Sequence, residues 1–134
     1  ASSSLVTNRL GTLTIHGQDI PIADNVGEAT LEKSPGWMPD SAPPGERGMC
    51  VILGHRNRKH LRPLEKVEQG DMITFSYPDG RTVNYTVVNT MIYENPSDWR
   101  LPSAVSNTLV LVTCYPFRYT GHAPGKYQVL CIKN

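Results

Sequence analysis

The sequence predicts an all-β domain folded as a closed or nearly closed barrel. Three observations predict it. Six to eight short runs either alternate apolar and polar residues or are apolar throughout, at strand length. Little of the chain patterns as helix. Glycine and proline number 11 each in 134 residues, about one residue in six against a usual share of about one in eight, so turns are frequent.

The first eight residues are polar and are expected to be loose. Leu10 to His16 alternates and reads as the first strand. Asp19 to Ile22 reads as a second, with Pro21 favouring an edge because it cannot donate to a ladder. Asn25 to Lys33 fits one or two helical turns. Ser34 to Gly48 carries prolines at 35, 39, 43 and 44 and glycines at 36, 45 and 48, which argues against a packed helix or central strand there. Met49 to Leu53 is apolar throughout and reads as a strand buried on both faces, closed by Gly54. Arg56 to Glu68 is charged and irregular. Met72 to Tyr77 and Thr82 to Val88 flank Pro78-Asp79-Gly80 and form the clearest hairpin, its second strand extending toward Ile92. Glu94 to Asn107 reads as a polar loop. Thr108 to Thr113 is a second apolar run ending at Cys114, Tyr115 to Gly125 a loop, and Lys126 to Ile132 the last strand.

Length and charge bound the function. The chain fits one domain with one core, large enough to bury roughly two thirds of its unfolded surface without disulfide staples. No run of 18 apolar residues is present to cross a membrane as a helix. The start, Ala-Ser-Ser-Ser-Leu-Val, is not a signal peptide, and the absent initiator Met suggests a mature or trimmed chain. A net charge of +1 gives no general attraction to nucleic acid or anionic membranes. The three cysteines, at 50, 114 and 131, are odd in number and form no CxxC, which argues against a disulfide framework.

Two apolar strands end on reactive side chains. Val51-Ile52-Leu53-Gly54 ends at His55, and Leu109 to Thr113 ends at Cys114. A strand end is a rigid platform for aiming a side chain into a cleft. Cysteine is the most nucleophilic side chain near neutral pH and needs a partner to manage protons, usually histidine. The bland alternative is a small buried thiol and a surface histidine. Cys50 and Cys131 sit inside apolar strand patterns and read as inert core thiols. His60 and His122 read as solvent-facing, and His16 has no evident partner in sequence. No close spacing of Cys and His marks a zinc site. Arg56, Arg58, Lys59 and Arg62 form a basic cluster without interleaved aromatics, which reads as a solvated face rather than a nucleic-acid site. Trp37 and Trp99 fall in loops, where an indole caps a core edge or lines a groove. Asn84-Tyr85-Thr86 matches a glycosylation sequon but lies in a strand pattern.

These residues resemble the sortase family. Thr108-Leu109-Val110-Leu111-Val112-Thr113-Cys114 resembles its TLxTC signature, and Gly54-His55-Arg56 its histidine segment. Gly11 to Ile15 with Ile20-Pro21-Ile22, Leu61-Arg62-Pro63-Leu64 and Gly70 to Ile73 agree in order. Tyr115-Pro116-Phe117 and Gly121-His122-Ala123-Pro124 look most like class D sortases. The likeness spans roughly residues 10 to 132.

The resemblance implies an eight-stranded sortase β-barrel. It divides the chain into a disordered N-terminal remnant, 1–9, and a sortase catalytic domain, 10–134. It implies a cysteine transpeptidase that cleaves an LPxTG-like sorting signal after Thr through a thioacyl-enzyme at Cys114, with His55 as general acid and base. The partners implied are proteins with C-terminal sorting signals and an amine acceptor, a peptidoglycan precursor or pilin-like protein. No cofactor or metal is implied; Glu94 and Asp98 are too sparse for a calcium site. The implied location is the outer face of the cell membrane of a Gram-positive bacterium, held by an N-terminal anchor that this chain lacks.

One departure stands out. Lys126 occupies the position of the family's Arg, which steadies the oxyanion and the substrate backbone. Lysine keeps the charge but loses the planar fork of donors. Arg118, four residues after Cys114, is the alternative cation. The change also leaves open a catalytically weak or inactive peptide-binding module on the same fold. Thr113, Tyr115, Trp99 and Leu101 are the substrate-binding candidates that the resemblance implies, Tyr115 through its backbone N–H.

Overall fold

Eight strands emerge in a computed structural model, which describes residues 9–26, 35–54, 64, 66–95, 97, 107–115 and 125–134. They are β1 (Arg9–Ile15), β2 (Gln18–Ala23), β3 (Gly36–Trp37), β4 (Met49–Leu53), β5 (Met72–Ser76), β6 (Thr82–Tyr93), β7 (Thr108–Tyr115) and β8 (Gly125–Lys133). They close into one barrel in the order β1-β2-β3-β4-β7-β8-β6-β5. Closure removes the unpaired edges that an open sheet would expose. The eight-stranded barrel expected from the sequence is the fold.

Side-chain alternation builds the interior. Leu13 and Ile15 of β1, Ile73 and Phe75 of β5, Tyr85 and Val87 of β6, Leu109 and Leu111 of β7 and Val129 of β8 all bury completely or almost so in one cluster. The intervening residues face outward, as a period of two requires. β4 and β7 are exceptions, because both of their faces are covered. Val51, Val110 and Val112 form a second, outer cluster with Met38, Met49, Leu53 and Leu130. That explains the continuous apolar runs in these two strands.

The expectation of no central strand in the proline-rich stretch is corrected. Gly36 and Trp37 form β3, which joins β2 to β4 through Ala23↔Gly36 and Gly36↔Leu53. A two-residue strand has no periodicity to detect. Glycine is required there, because a Cβ on Gly36 would sit 2.0 Å from the Asn25 carbonyl oxygen. Trp37 packs against the core and donates its indole N–H to Ala42 O at 3.0 Å, so it caps a core edge. Pro21 pairs with Thr12 of β1, and on its other side β2 meets β3 only at Ala23. The missing proline N–H therefore costs no ladder bond.

The Pro78-Asp79-Gly80 hairpin forms as expected, with Met72 to Ser76 against Thr86 to Thr82. β6 then runs on to Tyr93 beside β8, past a register shift between Val87 and Asn89. The loop before β4 is tied to this hairpin. Tyr85, fully buried, accepts the Gly45 N–H on its hydroxyl at 2.7 Å, and Tyr77 donates its hydroxyl to Pro44 O. The expected helical turns over 25–33 and most of the charged stretch 56–68 lie outside the described residues. Leu64 and Val67 of that stretch are buried in the core.

His16 has a partner after all. It sits at the tip of the β1–β2 hairpin with φ 49°, a left-handed backbone that costs a non-glycine residue about 1 kcal/mol or more. Its ring reaches Asp71 across 55 positions of sequence, which no local pattern could reveal.

Two substitutions separate packing from hydrogen bonding. Leu111→Ala should cost about 2–5 kcal/mol through the cavity that it leaves in the closed interior. Tyr85→Phe should cost about 1 kcal/mol by orphaning the Gly45 N–H. Urea unfolding midpoints of the two variants measure both, and equal losses would contradict this division.

Candidate active site

Three neighbouring strands assemble the site. β4 and β7 run parallel, from Met49↔Thr108 to Leu53↔Val112. The pairing carries one step past the strand, where the Gly54 N–H donates to Val112 O at 3.1 Å. The chain therefore leaves β4 beside a residue two positions before Cys114, and His55 is the next residue after Gly54. On the other flank β8 runs antiparallel to β7 and pairs Cys114 with Lys126. β6 brings Tyr93 opposite Lys126 on its far side. Positions 114 and 126 are thus direct cross-strand neighbours, and position 55 follows the end of the strand on the other side of β7.

The surroundings of the strand ends differ by face. Inward, Thr113 continues the line of Leu109 and Leu111 and is 2% exposed. Among the described residues its hydroxyl has no hydrogen-bond partner. Outward, the apolar floor of Val51, Val110 and Val112 leads up to the 114–126 row. Lys126 is half-buried. Gln128, paired with Val112, lies on this outer side and is 1% exposed. It was not singled out from the sequence. The available signal was the alternation of Tyr127, Val129 and Cys131, which are buried inward and so leave Gln128 facing out between Lys126 and Leu130.

The other two cysteines are accounted for. Cys50 and Cys131 are buried in the barrel interior, as expected of core thiols. Burial pushes both thiols up, Cys131 to about 12, because the apolar interior disfavours the thiolate. Neither can supply a nucleophile near neutral pH. Cys114 is left as the one cysteine on a strand end.

The remaining candidates fall where less is described. His55, Trp99, Leu101 and Arg118 lie outside the described residues, as do His60, His122 and the basic cluster from Arg56 to Arg62. Tyr115 is placed in β7 opposite Gly125. Among the described residues no group of three or more His, Cys, Asp or Glu is arranged to hold a metal ion. No helix among them is long and apolar enough to cross a membrane. Asn84 lies within β6 and accepts the Thr74 hydroxyl at 2.9 Å, so the sequon stands in a paired strand.

Comparison with known proteins agrees with this architecture. The Sortase domain model matches residues 14–131. Sortase D of Bacillus subtilis (strain 168) is 34% identical over 112 residues, 83% of this chain and 56% of that protein. The chain thus spans just over half the length of that relative. Sortase A from Corynebacterium diphtheriae superposes with a TM-score of 0.80 at 26% identity, covering 96% of this chain and 61% of that one. Clostridium perfringens sortase C, solved with the C-terminal cell wall sorting motif, gives 0.79 at 20% identity, covering 95% and 71%. A domain model matched over most of the barrel, and a relative this similar across it, establish that the chain belongs to the sortase family.

Proposed function

We propose that this domain is a cysteine transpeptidase that cleaves an LPxTG-like sorting signal after Thr and passes the acyl group to an amine. The observation that carries the reading is the strand register. It sets Cys114 beside Lys126, and it brings the chain to His55 from a strand hydrogen-bonded along β7. The family membership and the sorting motif in the C. perfringens structure support the substrate class.

In this reading the Cys114 thiolate attacks the Thr carbonyl carbon, and the carbonyl π electrons move onto oxygen. Lys126 stabilises that oxyanion, aided by the Tyr115 backbone N–H. The intermediate collapses, the C–N bond breaks, and His55 protonates the departing amine. A thioester remains, which conserves the energy of the cleaved amide. An incoming amine, deprotonated by His55, then attacks the thioester and releases the Cys114 thiolate. Lys126 serves with charge but without a bidentate fork, so it orients the oxyanion less rigidly than Arg. Arg118 is the alternative cation. Trp99 and Leu101 contact the Leu-Pro part of the signal; Thr113, expected as a groove residue, faces the barrel interior at 2% exposure and is set aside.

The partners are then proteins bearing C-terminal sorting signals and a peptidoglycan-type or pilin-like amine. The proposed setting is the outer face of the membrane, with an anchor N-terminal to this domain. Residues 10–134 form the catalytic unit, and 1–9 are the N-terminal remnant before it, of which Arg9 already pairs in β1.

Mass spectrometry after incubation with an LPxTG or LPxTA peptide tests the chemistry. A thioacyl adduct should form, disappear in Cys114→Ala, and resolve to a ligated product when an amine is added. Absence of both adduct and cleavage across a panel of signals would refute the enzyme and leave a peptide-binding module. Lys126→Ala should slow acylation by roughly a hundredfold, the scale seen when one oxyanion donor is removed. An unchanged rate would move that role to Arg118. Alkylation of the folded protein at neutral pH should label one thiol, at Cys114, because Cys50 and Cys131 are shielded; peptide mapping checks the site.

A further inference from the structure

β6 serves two partners in turn. Its first residues, Thr82 to Thr86, pair with β5, and Tyr85 to Tyr93 pair with β8. Val87 bonds to Gly70 and Asp71, just before β5 begins. Beyond Val87, among the described residues, no strand pairs with β6 on that side. The register tells which groups face the open side. Asn134 donates its N–H to Asn84 O and Lys133 donates to Asn107 O, so even positions along β8 bond toward β6 and odd positions toward β7. Leu130, Gln128 and Lys126 thus bond toward Asn89, Met91 and Tyr93. The N–H and C=O of Thr90 and Ile92 point away from β8, to the open side.

Side chains mark the same gap. Ile92 pairs with the inward-facing Tyr127, yet it is 50% exposed, so the barrel wall leaves it uncovered. Met91, its neighbour on the other face, is 41% exposed. Natural sheets blunt their exposed edges with lysine, proline or an inward charge. Past the register shift before Asn89, this edge has none of these, and Val88 to Tyr93 is rich in β-branched and aromatic residues. The edge also leads to the site, since Tyr93 shares a row with Lys126 and Cys114.

We propose that this open edge of β6 takes an added strand, the extended stretch of substrate polypeptide that immediately precedes the sorting signal. The assignment rests on the transpeptidase reading and deepens it. Strand addition binds through main-chain hydrogen bonds, and alternate side chains set preference. From β7 across β8 and β6 to the added strand is three strand spacings, about 14 Å. An extended chain covers that in about four residues. Cleavage after Thr places those residues within the signal itself, so the residues just before its Leu are the ones that reach the edge. An uncharged stretch with apolar side chains fits, because it covers Ile92 on one face and Met91 on the other. The same stretch stays in the acyl-enzyme, so its contacts serve both acylation and transfer.

The test compares an LPxTG peptide with the same peptide extended N-terminally by an uncharged stretch as long as the open edge, using the whole chain. The extension should lower KM for acylation about tenfold, the scale of one or two net backbone hydrogen bonds. The same stretch placed after the signal should give no gain. N-methylation at alternate positions of the extension should abolish the gain in one parity and keep it in the other, because every second N–H faces β6. Ile92→Pro removes an N–H on the open side and spares the ladder to β8, so it should erase the difference between the two peptides. In Cys114→Ala, amide-resolved hydrogen exchange should show the extended peptide protecting Thr90 and Ile92, with no new protection at Met91. Equal KM values, a gain indifferent to N-methylation, or an equal gain from the C-terminal extension overturns the docking site. Protection of Thr90 and Ile92 that rises with protein concentration in the absence of peptide assigns the edge to a second copy and overturns it as well. The exchange readout needs no turnover. Protection without acylation by the parent chain therefore counts against the transpeptidase alone, and acylation that ignores the extension counts against the edge alone.

Discussion

The parallel pairing of β4 with β7 is the constraint on which the rest of this molecule depends. Parallel strands cannot be joined by a short turn, so the chain must travel between them. Here it uses that excursion to build the β5–β6 hairpin, which pairs with β1 on one side and β8 on the other. The barrel closes as a consequence. The same pairing makes both apolar strands point the same way and end at the same place. The chain positions that follow Gly54 and Val112 are therefore reached from paired strands, although they lie far apart in sequence.

Position along the strands then separates three chemically identical thiols. Cys50 of β4 and Cys131 of β8 flank Leu109 of β7 and bury with it in the interior. There the thiolate is penalised, and the sulfur serves as a small hydrophobe. Cys114 stands at the other end of β7, on a row with Lys126 and Tyr93. In the proposed reading, the positive neighbour on that row serves both the thiolate and the developing oxyanion. Lys126 in that reading keeps the charge of the family's Arg and gives up its planar fork of donors.

Where the sequence was legible, a local physical signal existed. The runs at 49–53 and 108–113 had no polar face, and the structure covers both of theirs. The turn at Pro78-Asp79-Gly80 had turn chemistry between alternating flanks, and it is a hairpin. β3 was missed because two residues carry no period and prolines surround it. The His16–Asp71 contact was missed because neither residue has a local partner, and the fold alone brings them to 2.8 Å. Gln128 was overlooked because a single glutamine in a strand looks like any outward polar residue until its burial is known.

By itself the sequence determined seven of the eight strands, the inert character of Cys50 and Cys131, and the pairing of Cys114 with His55 as the chemistry worth testing. These follow from composition and spacing along the chain, which act over a few residues. Only the tertiary structure decided that β3 closes the barrel, that Lys126 is the direct cross-strand neighbour of Cys114, and that His16 grips Asp71. Each of these is a contact between segments far apart in sequence. Their distance is set by barrel register and closure, not by any property of either segment alone.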